Sequence, residues 1–183
     1  MEQAQDIQAA VVRKARHGDT EAMGWLYKQY CKAMFNICLR MSGNRNDAED
    51  ILQEAFIIAF DKLHQLKEEM QFGGWLKRIV VNECIHYSKK SFYWEDWEDK
   101  NEETFVEDEI AWWKTTDLQV IHNEIKTLPG GCRQIFNLYV LENYSHREIA
   151  ESLGISESTS KTQYQRARKL LRERITKKLE TYG

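Results

Sequence analysis

Between Tyr144 and Arg174 the chain reads YSHREIAESLGISESTSKTQYQRARKLLRER. At helical spacing, Lys161, Thr162, Gln165, Arg166 and Lys169 fall largely on one side of its second half. Lys and Arg neutralise phosphates, while Arg, Gln and Thr also hydrogen-bond base edges, so the chemistry on offer is nucleic-acid recognition. Positioning those groups needs two helices. Ser145 followed by Glu148 is a capping box, Ile149, Ala150 and Leu153 share one face, and Gly154 can end the helix in a left-handed conformation. Ile155 is an apolar turn residue. Ser156 can cap a second helix, with Glu157 near its positive end. Ser160, Tyr164, Ala167 and Leu171, widened by Leu170, would pack that helix on the first. This is the arrangement that sets a second helix into a DNA major groove. A solvated basic helix in a helical hairpin is the plain alternative, and the cap, turn and basic outer face together favour DNA.

A chain of 183 residues holds one domain or two small ones. Its net charge of −3 does not by itself predict a nucleic-acid partner, so the distribution of charge decides. No apolar run is long enough to span a bilayer, and the N-terminal MEQAQDIQAAVVRKARHGD is too polar for a secretory signal. Direct membrane insertion is therefore not expected. Cys31, Cys38, Cys84 and Cys132 show no CxxC pairing and no His at zinc-finger spacing. Reduced, mostly core thiols and a cytoplasmic location are the expectation, with no metal and no cofactor.

Helix signals run through nearly the whole chain, strand alternation is scarce, and the single proline is Pro129. Ala22, Leu26, Tyr30, Ala33 and Ile37 suit one amphipathic helix. SGNRND reads as a turn, and DAEDILQEAFIIAFDKLHQL as a helix with Ile51, Ala55, Ile58 and Leu63 near one stripe. Gly73-Gly74 is expected to break the chain before WLKRIVVNECIHYSKK resumes a helix. The fold class is all-α.

From Ser91 to Ile110, nine acids face the single base Lys100. That segment carries −8 of a total of −3, leaving +5 elsewhere. Self-repulsion favours an extended linker, although Phe92, Tyr93, Trp94 and Trp97 prefer partial burial. The segment is either a tether docking loosely on a neighbour or an imitation of nucleic acid inside a partner's basic channel. Either way, two small helical domains are expected, residues 1–91 and 117–183, joined by an acidic linker over 92–116. Lys77, Arg78, Lys89 and Lys90 form one basic zone, and the helix from Lys161 to Lys178 the other.

GDTEAMGWLYKQY, DAEDILQEAFIIAF, FGGWLKRIVVNECIHY and LPGGCRQIFNLYVLENYSHREIAESLGISESTSKTQYQRAR together resemble, in order, an extracytoplasmic-function (ECF) sigma factor of the sigma-70 family. DAED-x-x-QE-x-F followed by WLKRI-x-x-N is the specific part, and the resemblance covers nearly everything except the acidic linker and the extreme ends. It implies a subunit that binds bacterial RNA polymerase core and directs promoter binding, promoter opening and transcription initiation. It implies that Asp50, Gln53, Glu54 and Ile57 contact the polymerase while Ile51, Leu52, Ala55 and Ala59 pack inward, with Ile57 or Phe56 giving apolar anchorage.

The resemblance also places the capture of a flipped base of the minus-ten element on the loop Lys67, Glu68, Glu69, Met70 and Gln71. Lys77, Arg78 and Asn82 would hold the DNA nearby. Phe72 and Trp75 could stack on bases, with core the better reading for Trp75. In the C-terminal domain, Leu128-Pro129 matches the usual opening, and Ile135, Phe136 and Tyr139 would build the core. Lys161, Thr162, Gln165 and Arg166 would enter the groove of the minus-thirty-five element, with Arg168 and Lys169 toward phosphates. Ser160 departs from the apolar β-branched residue usual there and could bond a backbone carbonyl one turn back. An anti-sigma factor is a further partner the resemblance suggests.

Two rivals remain. A helix-turn-helix regulator that does not join core polymerase explains the C-terminal stretch but not DAEDILQEAF with WLKRIVVN. An enzyme would need a phosphate loop, HExxH or nucleophile–base pattern, none of which occurs, and His17, His64, His86, His122 and His146 are scattered.

Overall fold

The computed structural model describes residues 2–91 and 118–182, and the acidic 92–116 segment lies outside the described residues. All regular structure described is helical: α1 Glu2–Arg16, α2 Thr20–Ser42, α3 Arg45–Asp61, α4 Phe72–Ser91, α5 Leu118–Lys126, α6 Gly130–Phe136, α7 His146–Leu153 and α8 Glu157–Tyr182. The fold is all-α. The chain divides into two compact units, Met1–Tyr87 and Ser88–Gly183. No described helix is long and apolar enough to cross a membrane.

In the first unit, caps decide where the helices begin and end. The Asp19 carboxylate accepts from the Ala22 N–H at 3.0 Å and opens α2. Gly43, at φ 84°, closes it. Asn44 then caps α3 by accepting from the Asp47 N–H at 2.9 Å. The expected turn over Ser42 to Asp47 is thus only Gly43 and Asn44, because an Asn cap lets the next helix start at once. α2 packs on α3 and on α1, and Leu26, Met34, Ile37, Cys38 and Met41 of α2 and Ala48, Ile51, Leu52, Ala55, Phe56 and Ala59 of α3 are buried. Ala33 is exposed and Met34 takes the inward place, since the apolar stripe drifts round α2.

Two 3₁₀ turns, Leu63–Gln65 and Glu69–Gln71, lead into α4. Gly73 and Gly74 do not break the chain but lie inside the first turn of α4. A Cβ at Gly73 would stand 3.0 Å from the Tyr30 ring, so this glycine lets α4 approach α2 closely. Phe72 and Tyr30 meet edge to face there, at 5.2 Å between centroids. At the far end of α4, the Tyr87 hydroxyl donates to Asp47 of α3.

The second unit is built on Ile125, Leu128, Cys132, Phe136, Ala167 and Leu171, with Ile121, Tyr164 and Leu170 against them. After α6 the helix widens into one π-helical stretch, Asn137–Leu141, in which the Glu142 N–H reaches the Asn137 carbonyl at 3.0 Å. Asn143 follows at φ 61°, a left-handed conformation that Asn tolerates better than most residues.

Candidate nucleic-acid and polymerase interfaces

The helix-turn-helix forms as its caps require. Ser145 Oγ accepts from the Glu148 N–H at 3.2 Å, and the Glu148 carboxylate accepts from the Ser145 N–H at 2.8 Å. The Ser145 N–H, and after it the Ser145 hydroxyl donating to the same Oε2 at 2.7 Å, hold the Glu148 carboxyl below its ordinary value. Gly154 ends α7 at φ 72°, ψ 36°. Ser156 Oγ accepts from the Thr159 N–H at 2.9 Å at the start of α8. Ile149, Ala150 and Leu153 of α7 and Ser160, Ala167 and Leu171 of α8 are buried.

Among the expected groove residues, Lys161 and Lys169 are exposed, while Thr162, Gln165, Arg166 and Arg168 are half-buried. Lys161 Nζ is held by Glu157 one turn earlier, at 2.7 Å, and this pairing lowers the Glu157 pKa. The Arg168 guanidinium lies over the Tyr164 ring, 5.8 Å from its centroid. Arg166 lies close enough to Cys132 to favour its thiolate, but burial dominates and pushes the Cys132 thiol up. Gln163, which spacing left unassigned, is buried and accepts from Cys132 Sγ at 3.0 Å.

The Ser160 hydroxyl is fully buried, yet it pairs with Nδ1 of His146 on α7 at 2.9 Å. It does not need the backbone carbonyl one turn back, because an imidazole reaches it first. Tyr139 is not a core residue: it is 37% exposed and stacks on His146, with centroids 4.3 Å apart and planes at 14°. The π-helical stretch rotates Tyr139 out of the α6 core face. Tyr164 closes the group at 4.6 Å from Tyr139. No sequence signal announced this cluster beyond a His directly after the capping Ser.

In the first unit, α3 presents Asp50, Gln53, Glu54 and Ile57 on its exposed face, and Ile57 is 63% exposed. Ile51, Leu52, Ala55 and Ala59 are buried opposite. Phe56 cannot anchor a partner. It is buried, with its ring 4.7 Å from Tyr27 and 5.8 Å from Phe60. Along the loop before α4, Lys67, Glu68, Met70 and Gln71 are exposed. Glu69 instead points inward to Arg16 of α1 at 3.1 Å. Lys77, Arg78 and Asn82 are exposed on α4. Phe72 is fully buried and cannot stack on a base, whereas Trp75 is half-buried beside it at 6.1 Å. Among the described residues no group of His, Cys, Asp and Glu could hold a metal ion.

The family model for Sigma-70 region 2 matches residues 26–91, and that for Sigma-70, region 4 matches residues 118–171. The ECF RNA polymerase sigma factor SigW of Bacillus subtilis is 30% identical over 178 residues, covering 90% of this chain and 94% of its own. The ECF RNA polymerase sigma factor SigE of Mycolicibacterium smegmatis is 31% identical over 174 residues, covering 87% and 65%. The solved sigma factor RpoE of Bartonella quintana, in complex with the anti-sigma factor NepR, aligns at TM-score 0.47 and 21% identity over 84% of this chain and 96% of that one. A two-region helical protein of the sigma-70 class is thereby defined. Within that class, the chain belongs to the extracytoplasmic-function sigma factors.

Proposed function

We propose that this sigma factor works by recruitment, with its two parts touching one polymerase–promoter complex at separate places. Residues 1–91 form the module that binds core polymerase and handles the minus-ten element. Residues 117–183 set register on the minus-thirty-five element, and the acidic 92–116 segment tethers them. The exposed Asp50, Gln53, Glu54 and Ile57 face carries this reading. A helix that buries one side completely and leaves an isoleucine 63% exposed among carboxylates and an amide suits a basic partner helix with an apolar notch. A DNA-binding regulator acting alone has no use for that face.

On the same reading, Lys67, Glu68, Met70 and Gln71 meet the opened minus-ten strand. Lys77, Arg78 and Asn82 hold DNA beside it. Lys161, Thr162, Gln165 and Arg166 meet base edges in the major groove, and Arg168 and Lys169 meet phosphates. The polymerase makes the phosphodiester bonds, and this chain adds no chemistry of its own. It acts in the cytoplasm, where polymerase and DNA are. An anti-sigma factor is the further partner that this reading includes.

In vitro transcription with core polymerase on a randomised promoter library tests this. Transcripts should enrich for two shared sequence elements at fixed spacing, dependent on this chain. Binding of the library by the chain without any gain in transcription would return the reading to a regulator that does not join core.

A further inference from the structure

We infer that Arg16, the last residue of α1, is a positioning residue for the 66–71 loop and thereby for selection at the minus-ten element. This rests on that loop being the strand-reading loop, as proposed above. The guanidinium is a rigid fork that donates in two directions at once. Here Nη2 donates to the Leu66 carbonyl at 2.8 Å, and Nη1 donates to Glu69 Oε1 at 3.1 Å. Those acceptors bracket Lys67 and Glu68: Leu66 closes the first 3₁₀ turn, and Glu69 opens the second.

The rest of the loop closes on itself. The Gln71 N–H donates to the Glu68 carbonyl at 3.0 Å, and Gln71 Nε2 donates to Glu68 Oε2 at 2.6 Å. Two short 3₁₀ turns have few backbone bonds of their own, so an outside clamp contributes heavily to where Lys67, Glu68 and Met70 stand. The Arg16 and Glu69 side chains are only 25% and 23% exposed, which spares the pair much of the solvent screening that weakens surface ion pairs. The carboxyl of Glu69 is held below its usual range, first by its own backbone N–H and further by Arg16 and Arg13. Glu69 is therefore occupied inward, and reading falls to its exposed neighbours. α1 precedes the residues matched by the region 2 family model, so that match assigns Arg16 no role.

The test measures base preference at each minus-ten position, using the full chain with core polymerase on a library of forked promoter DNA randomised only there. Core affinity, minus-thirty-five preference and thermal stability are measured alongside. Arg16→Ala should flatten minus-ten preference by about 3- to 10-fold, the range for the net loss of an ordinary intramolecular hydrogen bond. Core affinity and minus-thirty-five preference should hold. Arg16→Lys, which keeps one bond of the fork, should fall between.

Should Arg16→Ala not fold, Glu69→Gln, which keeps an acceptor but loses the charge, should flatten the profile in the same direction. An unchanged minus-ten profile, or a parallel loss of core and minus-thirty-five binding, would overturn the inference. A variant with Lys67, Glu68, Met70 and Gln71 all changed to Ala separates the two levels. If it alters minus-ten preference while Arg16→Ala does not, only the role of Arg16 falls. If it leaves that preference intact, the reading of the loop falls first.

Discussion

Nδ1 of His146, at the first position of α7, lies 2.9 Å from the buried Oγ of Ser160 on α8, joining the two helices of the helix-turn-helix by a side-chain bond. A buried polar bond in that place ties the stability of the pair to the state of one imidazole.

Ser160→Ala should therefore destabilise the second unit by about 1 kcal/mol, with up to about 3 kcal/mol if the imidazole nitrogen is left without a partner. Urea unfolding of the full chain, followed by a probe in the second unit, measures it. Unchanged stability would show that water reaches the imidazole.

The pH dependence follows from the same pair. His146 has its pKa lowered from 6.5, first by burial and then by Lys161, against a smaller opposing effect of Glu157. Ser160, Tyr139 and Tyr164 are the other groups that face it. The unfolded chain takes up the proton before the folded one does, so the stability contributed is fully present above 6.5 and is lost as pH falls toward the lower folded value. Thermal melts between pH 7.5 and 5.5, a range bracketing the ordinary His titration, should show a steeper loss for the native chain than for His146→Gln. Equal slopes would remove His146 as the cause.

On α3, replacing Gln53, Glu54 and Ile57 together should weaken binding to core polymerase while the fold survives, since all three are exposed. Interface positions of this kind contribute from nothing up to about 2 kcal/mol each. Fluorescence titration of core with the labelled chain reads the loss, and circular dichroism reads the fold. A well-folded triple variant with native affinity would take this face out of the interface.

Arg166→Ala should relax preference at one position of the upstream promoter element, by about 1–3 kcal/mol if the guanidinium forks onto a guanine. Lys169→Ala should instead weaken all sequences alike and reduce the salt slope. Binding to a randomised upstream element at two salt concentrations distinguishes them. A uniform loss for Arg166→Ala would make it a phosphate clamp.

Local signals carried far in this chain. A capping box, a left-handed glycine and a capping serine each act within one helical turn, so Ser145, Gly154 and Ser156 announced α7 and α8 before any coordinates did. The buried face of α3 was legible for the same reason: helical period puts Ile51 and Ala55 on one stripe, while Gln53, Glu54 and Ile57 came as the outward set from the family resemblance. What period cannot decide is which of two adjacent apolar residues meets another helix. Phe56 is inside, with its ring 4.7 Å from Tyr27 of α2, while Ile57 next to it is 63% exposed.

Tertiary structure decided the remaining placements. Gly73 reads as a chain breaker until Tyr30 is seen occupying the space its side chain would take. The inward turn of Glu69 depends on Arg16, 53 residues earlier in the chain. The stacking of Tyr139 on His146 depends on one widened turn whose sequence, NLYVL, carries no mark of it. Such contacts join groups far apart in sequence, and their energies exist only once the helices have packed.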